Sequence, residues 1–150
     1  MAIPRTKIAL LDATVQETGE WLTDTWAGCH RQDWHWAYMA LRTTLHAQRD
    51  CLPMPAAARL GAQLPLLIHG MYYEGWLPTD KPHKEGHLEG FLALIREYFS
   101  CSLGVDAEIV ARAVFKVLAN LITAGELKDV RRVLASFVCT IPLLTSPAEA

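Results

Sequence analysis

Three cationic or ionisable side chains recur at helical spacing in ALRTTLHAQRD, Ala40 to Asp50: Arg42, His46 and Arg49, with Asp50 directly after. Guanidinium groups are rigid forks of donors suited to carboxylate or phosphate, so this line could hold an anionic group. Neighbouring arginines would also lower the imidazole pKa and keep His46 neutral, able to accept a proton. A structural role accounts for the same residues. Arg49 could pair with an acid or cap helix carbonyls, and His46 could bond across to LPLLIHGMYYEGW, Leu64 to Trp76. Gln63, His69, Tyr72, Tyr73 and Trp76 are the candidate neighbours of the line, as ligand or interface residues.

Other groupings carry less chemistry. His83 and His87 stand four apart, a spacing that places two ligands on one helical face. They lie in a polar linker beside Glu85 and Glu89 without an HExxH motif, which reads as solvated histidines and no metal site. Trp21, Trp26, Trp34, Trp36, Tyr72, Tyr73 and Trp76 could line a pocket for a flat ligand, or simply fill a core. Trp36 lies off the main apolar side of its helix, so it either meets another element or anchors an interface. There is no GxSxG, no glycine-rich phosphate loop and no evident base beside any cysteine. The expectation is a non-enzyme without cofactor or catalytic residue.

The elements that must position these residues are helical. Apolar residues follow the 3.6 period, and strand-like alternation is nearly absent. Helices are expected over about 14–28, from an Asp33 N-cap to Leu52, and from Pro55 to about His69 with a kink or break at Pro65. Further helices are expected over about 86–100, 106–124 and 126–139. On the second helix Trp34, Tyr38, Leu41, Leu45 and Leu52 cluster on one side, and Ala37, Ala40, Thr44, Ala47 and Cys51 form a small-residue strip beside it. That leaves His35, Met39, Arg42, His46, Arg49 and Asp50 as a narrow remaining face.

A shift that carries Asp33 onto Asp106 also carries Ala40 onto Ala113, Leu45 onto Leu118, Arg59 onto Arg132 and Ala62 onto Ala135 without a gap. The chain therefore reads as one domain over residues 1–150, with two similar three-helix halves at about 14–76 and 86–140 and a linker at 77–85. The fold class expected is all-α, a compact orthogonal bundle of about six helices. Arg42, His46 and Arg49 align with Phe115, Ala119 and Ile122, so the polar line belongs to one half only.

The segment ALRTTLHAQRDCLPMPAAARLGAQLPLLIHGMYYEGW, Ala40 to Trp76, resembles the signature of the bacterial family known as domain of unknown function 2267. The similarity is carried by Leu41-Arg42, Leu45-His46, Arg49-Asp50, Leu52-Pro53, Ala62-Gln63-Leu64-Pro65 and Tyr72-Tyr73-Glu74-Gly75-Trp76. FKVLANLITAGELKDVRRVL, Phe115 to Leu134, is similar to the family's helix–GE–helix segment. Gln48 departs from the pattern where Leu is expected, and Cys51 and His69 stand where Arg is common. The resemblance implies an internally duplicated all-α domain and brings no activity, substrate or cofactor.

Bulk properties bound the function. Of 150 residues, 51% are hydrophobic and 20% charged, an apolar balance that points to a second buried surface such as an oligomer interface. A formal net charge of -2 gives no nucleic-acid footprint. Four scattered cysteines without a CxxC, and no signal peptide, read as reduced thiols in a cytoplasmic protein. The longest charge-free runs, Leu60 to Tyr73 and Ala135 to Ala148, contain proline and fall short of the ~20 apolar residues of a transmembrane helix. The expectation is an interaction or scaffold module whose partner is another protein or a second copy. The alternative is a small anionic-ligand-binding protein using Arg42, His46 and Arg49 with the Tyr72–Trp76 segment.

Overall fold

The computed structural model describes residues 6–29, 33–77, 88–99 and 106–121. Within them the chain forms α1 (Ala9–Cys29), α2 (Trp34–Cys51), α3 (Met54–Ala62), α4 (Leu66–Tyr73), α5 (Leu88–Tyr98) and α6 (Ala107–Leu121), with no strand among the described residues. The expected linker falls almost wholly outside the described residues, as do the helix expected over 126–139, Cys101, Cys139, His83 and His87.

Local chemistry sets the helix ends. α1 starts five residues before the expected position. Asp12 reaches back to accept from the Thr6 N–H (2.7 Å) and hydroxyl (2.9 Å), an N-terminal cap that precedes the first buried residue, Thr14. α2 starts and stops as the sequence indicates. Asp33 accepts from the N–H groups of His35 and Trp36 at 3.0 and 3.3 Å, and Leu52 leaves the helix in an extended conformation before Pro53. Asp106 does the same at the head of α6, accepting from Glu108 and Ile109 at 3.0 and 3.3 Å. The stretch expected as one kinked helix from Pro55 is two. Pro65 lacks an N–H and ends the α3 ladder, then serves as N-cap of α4, which runs on to Tyr73.

α2 is the central element, with eleven of its eighteen residues buried. It packs against α1, α3, α4, α5 and α6, and α1 packs in turn against α6 and α4. α1 and α6 approach closely at Gly28, where a Cβ would stand 2.8 Å from that of Ala113. The small-residue strip of α2 is buried as the angular reading implies, with Ala37, Ala40 and Ala47 fully inaccessible. Leu41, Leu45, Leu60, Ile68, Phe91, Ile95, Val110, Val114 and Phe115 belong to one continuous apolar core. Buried hydroxyls on α1 are satisfied locally: Thr18 donates to the Thr14 carbonyl (2.7 Å) and Thr25 to that of Trp21 (2.8 Å).

Two buried side chains of α2, Thr44 and Gln48, run against this economy. Gln48 is 1% exposed, and neither its amide oxygen nor its amide nitrogen meets a hydrogen-bond partner among the described residues. Burying an unpaired amide costs about 1–3 kcal/mol. Gln48→Leu, which keeps the volume and removes the polar atoms, is expected to raise the unfolding free energy by about that amount. Urea titration of the two proteins checks this, and an unchanged or lower midpoint counts against it.

Candidate functional site

The Arg42–His46–Arg49 line faces the C-terminal end of α4. α4 has eight residues and no basic residue in its last turn, and its last carbonyls are met locally only by the Glu74 N–H on Met71 (3.3 Å) and the Trp76 N–H on Tyr73 (3.1 Å). α2 supplies further donors and the cation. Arg49 Nη1 donates to the carbonyls of Tyr72 (2.8 Å) and Glu74 (3.0 Å). His46 Nε2 donates to the Met71 carbonyl at 2.7 Å, which defines the Nε2–H form of a neutral ring. Arg42 Nε pairs with the Glu74 carboxylate at 3.3 Å, near the surface. At its other end α4 is tied to α1, where the Thr14 hydroxyl oxygen accepts from the Leu67 N–H at 2.9 Å.

Arg49 is spent on this task. Its Nε and Nη2 atoms hold Asp50 as a two-point fork at 2.8 and 3.2 Å, and its Nη1 is on the α4 carbonyls. Asp50 also accepts from the Tyr98 hydroxyl at 2.8 Å, which joins α5 to the same network. Tyr98 stays protonated, because burial and its bond to the Asp50 carboxylate both push its pKa up. Arg49 is 5% and His46 7% exposed, so this part of the face that the helical wheel leaves outward is covered by α4, while His35 is exposed and Arg42 lies near the surface. Burial is the main cause holding His46 below its ordinary 6.5. The Met71 bond raises its pKa, Arg49 and Arg42 lower it, and Asp50 raises it.

The aromatic candidates form a second clasp, between α3 and α4. Tyr72 is fully buried and donates to the Ala57 carbonyl (2.7 Å), with burial the main cause raising its pKa. Tyr73 donates to the Ala58 carbonyl (3.3 Å), and His69 Nδ1 bonds to the Gly61 carbonyl (2.7 Å). Tyr73 sits among the rings of His69, Tyr72 and Trp76, with centroids 4.7, 5.0 and 5.3 Å away. A Cβ on Gly61 would collide with the Tyr73 ring, so this glycine admits the close packing. Trp36 meets another element, its ring 5.6 Å from Phe99. Gln63 is exposed at the end of α3, away from the polar line.

The family described as Uncharacterized conserved protein (DUF2267) matches residues 18–137. The chain belongs to this family. A comparison with curated proteins finds no match. The family description names no activity, so the matched segment fixes kinship and leaves the chemistry to the geometry above.

In this family member, three residues of the polar network were not singled out by spacing: Thr14, Glu74 and Tyr98. Thr14 and Tyr98 come from α1 and α5 and Glu74 directly follows α4, and no periodicity within α2 points to them. Glu74 stood inside the Tyr72–Trp76 segment, which was the one signal available. Among the described residues no group of three or more His, Cys, Asp or Glu is placed to hold a metal. Burial pushes the Cys29 thiol up to about 11, which keeps it protonated and unreactive at neutral pH. Also among the described residues, a cavity of about 440 Å³ opens between α1, α2 and α4, walled by Thr18 and Tyr38 and floored by Leu66, Leu67, Gly70 and Met71. Glu74 also lines it, and none of these lining residues is basic.

Arg49→Met is expected to cost about 3 kcal/mol or more, because it strands a partly buried carboxylate and the α4 carbonyls together. Arg49→Lys should recover only a minor part, since an ammonium cannot reproduce the fork. Urea unfolding measures both, and a loss below about 1 kcal/mol for Arg49→Met would sink the clamp.

His46 makes a pH prediction with a definite sign. Its pKa is lower in the folded chain than the 6.5 of the unfolded one, so the unfolded state binds more protons in this window. The stability it contributes is fully present above 6.5 and is lost as pH falls below that value toward the folded pKa. Unfolding free energies measured from about pH 7 down to about pH 5 should fall, and less steeply in His46→Gln. Equal slopes for the two proteins would refute the assignment.

Proposed function

We propose that this chain is a non-enzymatic protein-interaction module, a scaffold or adaptor working in the bacterial cytoplasm as a single domain of two similar three-helix halves. The observation that carries the reading is where the apolar surface lies. Leu66 and Leu67 on α4 are 53% and 46% exposed beside the apolar cavity, while the polar line that could have held a ligand is turned inward. An exposed apolar ridge next to a concavity is what a docking surface requires. The matching aspartate caps at the heads of α2 and α6 support the two-half organisation. So does the pairing, in which the second helix of each half packs against the first helix of the other. Among the described residues no helix is long and apolar enough to cross a membrane.

The alternative, an anionic-ligand site on Arg42, His46 and Arg49, has weaker support. Most of the guanidinium donors of Arg49 and the Nε2 of His46 already bind carbonyls and Asp50, and Arg42 is paired with Glu74.

Cross-linking in the native host, with the linked peptides identified by mass spectrometry, tests the module reading. The expected result is links from α4 and the start of α1 to an identified protein or to a second copy, reduced at least about tenfold by Leu67→Glu at unchanged thermal stability. A chain linked to no protein, or one stabilised by a small anionic metabolite, overturns it.

A further inference from the structure

Among the described residues, α4 is the element that closes over His46, through the Met71 carbonyl. On α2 the ring stands between Arg42, one turn before it, and Arg49, almost one turn after. Its Nε2–H already donates to Met71, so a second proton goes to Nδ1 and makes the ring a third cation on this edge of α2. The charged groups that act on the ring are Arg49, Arg42 and Asp50. The carboxylates along the edge are committed: Asp50 to the Arg49 fork and to Tyr98 of α5, and Glu74, just past α4, to Arg42. Tyr72 from α4 and Tyr98 from α5 stay protonated and bring no counter-charge. An imidazolium buried here therefore has no anion of its own, and only water can meet its charge.

Water reaches His46 by the smallest rearrangement if α4 leaves. α4 is bonded to α3 at three places, Tyr72 to Ala57, Tyr73 to Ala58 and His69 to Gly61, and each of these bonds survives the protonation of a histidine. Its ties to α2 and α1 are the contacts of Arg42, His46 and Arg49 and the Thr14 hydroxyl. α3 and α4 therefore travel as a pair. The joint is already extended, because Leu52 and Pro53 leave α2 with ψ of 148° each, outside the helical ladder. α1, α2, α5 and α6 pack on one another directly, without α4 between them.

We propose that His46 is an acid-operated latch: protonating its ring frees α3 and α4 to lift off α1 and α2 together at the Leu52–Pro53 joint, while α1, α2, α5 and α6 stay packed. Opening bares Ile68 and Tyr72, both fully buried in the closed form, so the chain gains an apolar surface that is available in acid and hidden at neutral pH. Partial opening of this kind is separate from global acid unfolding, which exposes every helix. The latch stands whether or not a partner docks on Leu66 and Leu67. Burial is the main cause that holds the ring below its ordinary 6.5 in the closed form, and the open form regains that value. The opening equilibrium therefore grows as pH falls below 6.5, by at most about tenfold per pH unit for one proton, and levels off at the midpoint of the closed form.

Amide exchange of the full chain, followed by NMR against pH and low urea and corrected for intrinsic exchange, reads the latch. An opening confined to α3 and α4 exposes little surface and so responds weakly to urea. The expected result is weakly urea-dependent exchange at α3 and α4 whose opening constant rises as pH falls below 6.5, with α6 amides exchanging only through strongly urea-dependent unfolding. In His46→Gln the opening constant should change by no more than about twofold between about pH 7 and pH 5. In the wild type the rise should level off at the midpoint that the His46 ring resonances record, which keeps the test sharp if His46→Gln does not fold. Strongly urea-dependent exchange of α4 at every pH overturns the proposal. So does an opening constant that ignores pH, a full response retained in His46→Gln, or a plateau away from the midpoint of the ring.

Discussion

Arg49 is the interaction on which the first half of this structure depends. α4 is eight residues long, and a helix of that length does not persist in water by its own hydrogen bonds. Its carbonyl end is closed by the Arg49 guanidinium and the His46 imidazole from α2, and its amide end by the Thr14 hydroxyl from α1. The short helix is thus held at both termini by neighbours. The guanidinium is itself affordable in the interior because Asp50 neutralises it with two parallel bonds, and Asp50 is fixed in turn by Tyr98 of α5. Each polar atom in this chain of contacts answers another, so a single loss exposes several unsatisfied groups.

This division of labour fits a polar line on α2 that α6 lacks. In the register that carries Asp33 onto Asp106, Arg42, His46 and Arg49 correspond to Phe115, Ala119 and Ile122. Phe115 is buried in the apolar core against Phe91. A helix that closes a neighbour's C-terminus needs donors along one edge, whereas a helix that meets only side chains does best with apolar ones. The structural consequence is a fixed helix. With its ends tied down and Ile68 and Tyr72 anchored inward, α4 holds Leu66 and Leu67 outward.

Much of the fold was legible from residue order. Asp33 and Asp106 mark two helix starts, Pro53 and Pro65 mark two ends, and the 3.6 period places Leu41, Leu45 and the alanine strip of α2 inward. These are local signals, decided by the backbone within a turn or two. The start of α1 is not legible from apolar spacing, because its cap, Thr6 with Asp12, precedes the first buried residue, Thr14. The status of the polar line is not legible either. Angle on a helical wheel separates His46 and Arg49 from the leucines, but says nothing about what covers them.

The sequence by itself determined that this is a helical protein, that α2 is a largely buried helix, and that α2 carries an Arg–His line beside its apolar side. Periodicity, caps and prolines act over a few residues, so residue order is enough to read them. Only the tertiary structure decided that the line binds the backbone of α4, that Asp50 reaches across to Tyr98, and that Leu66 and Leu67 remain outside. The partners in those contacts are carbonyls, which every residue carries, and side chains tens of positions away. No pattern of residue types announces where a carbonyl will be left without a donor. That depends on where a neighbouring helix happens to stop.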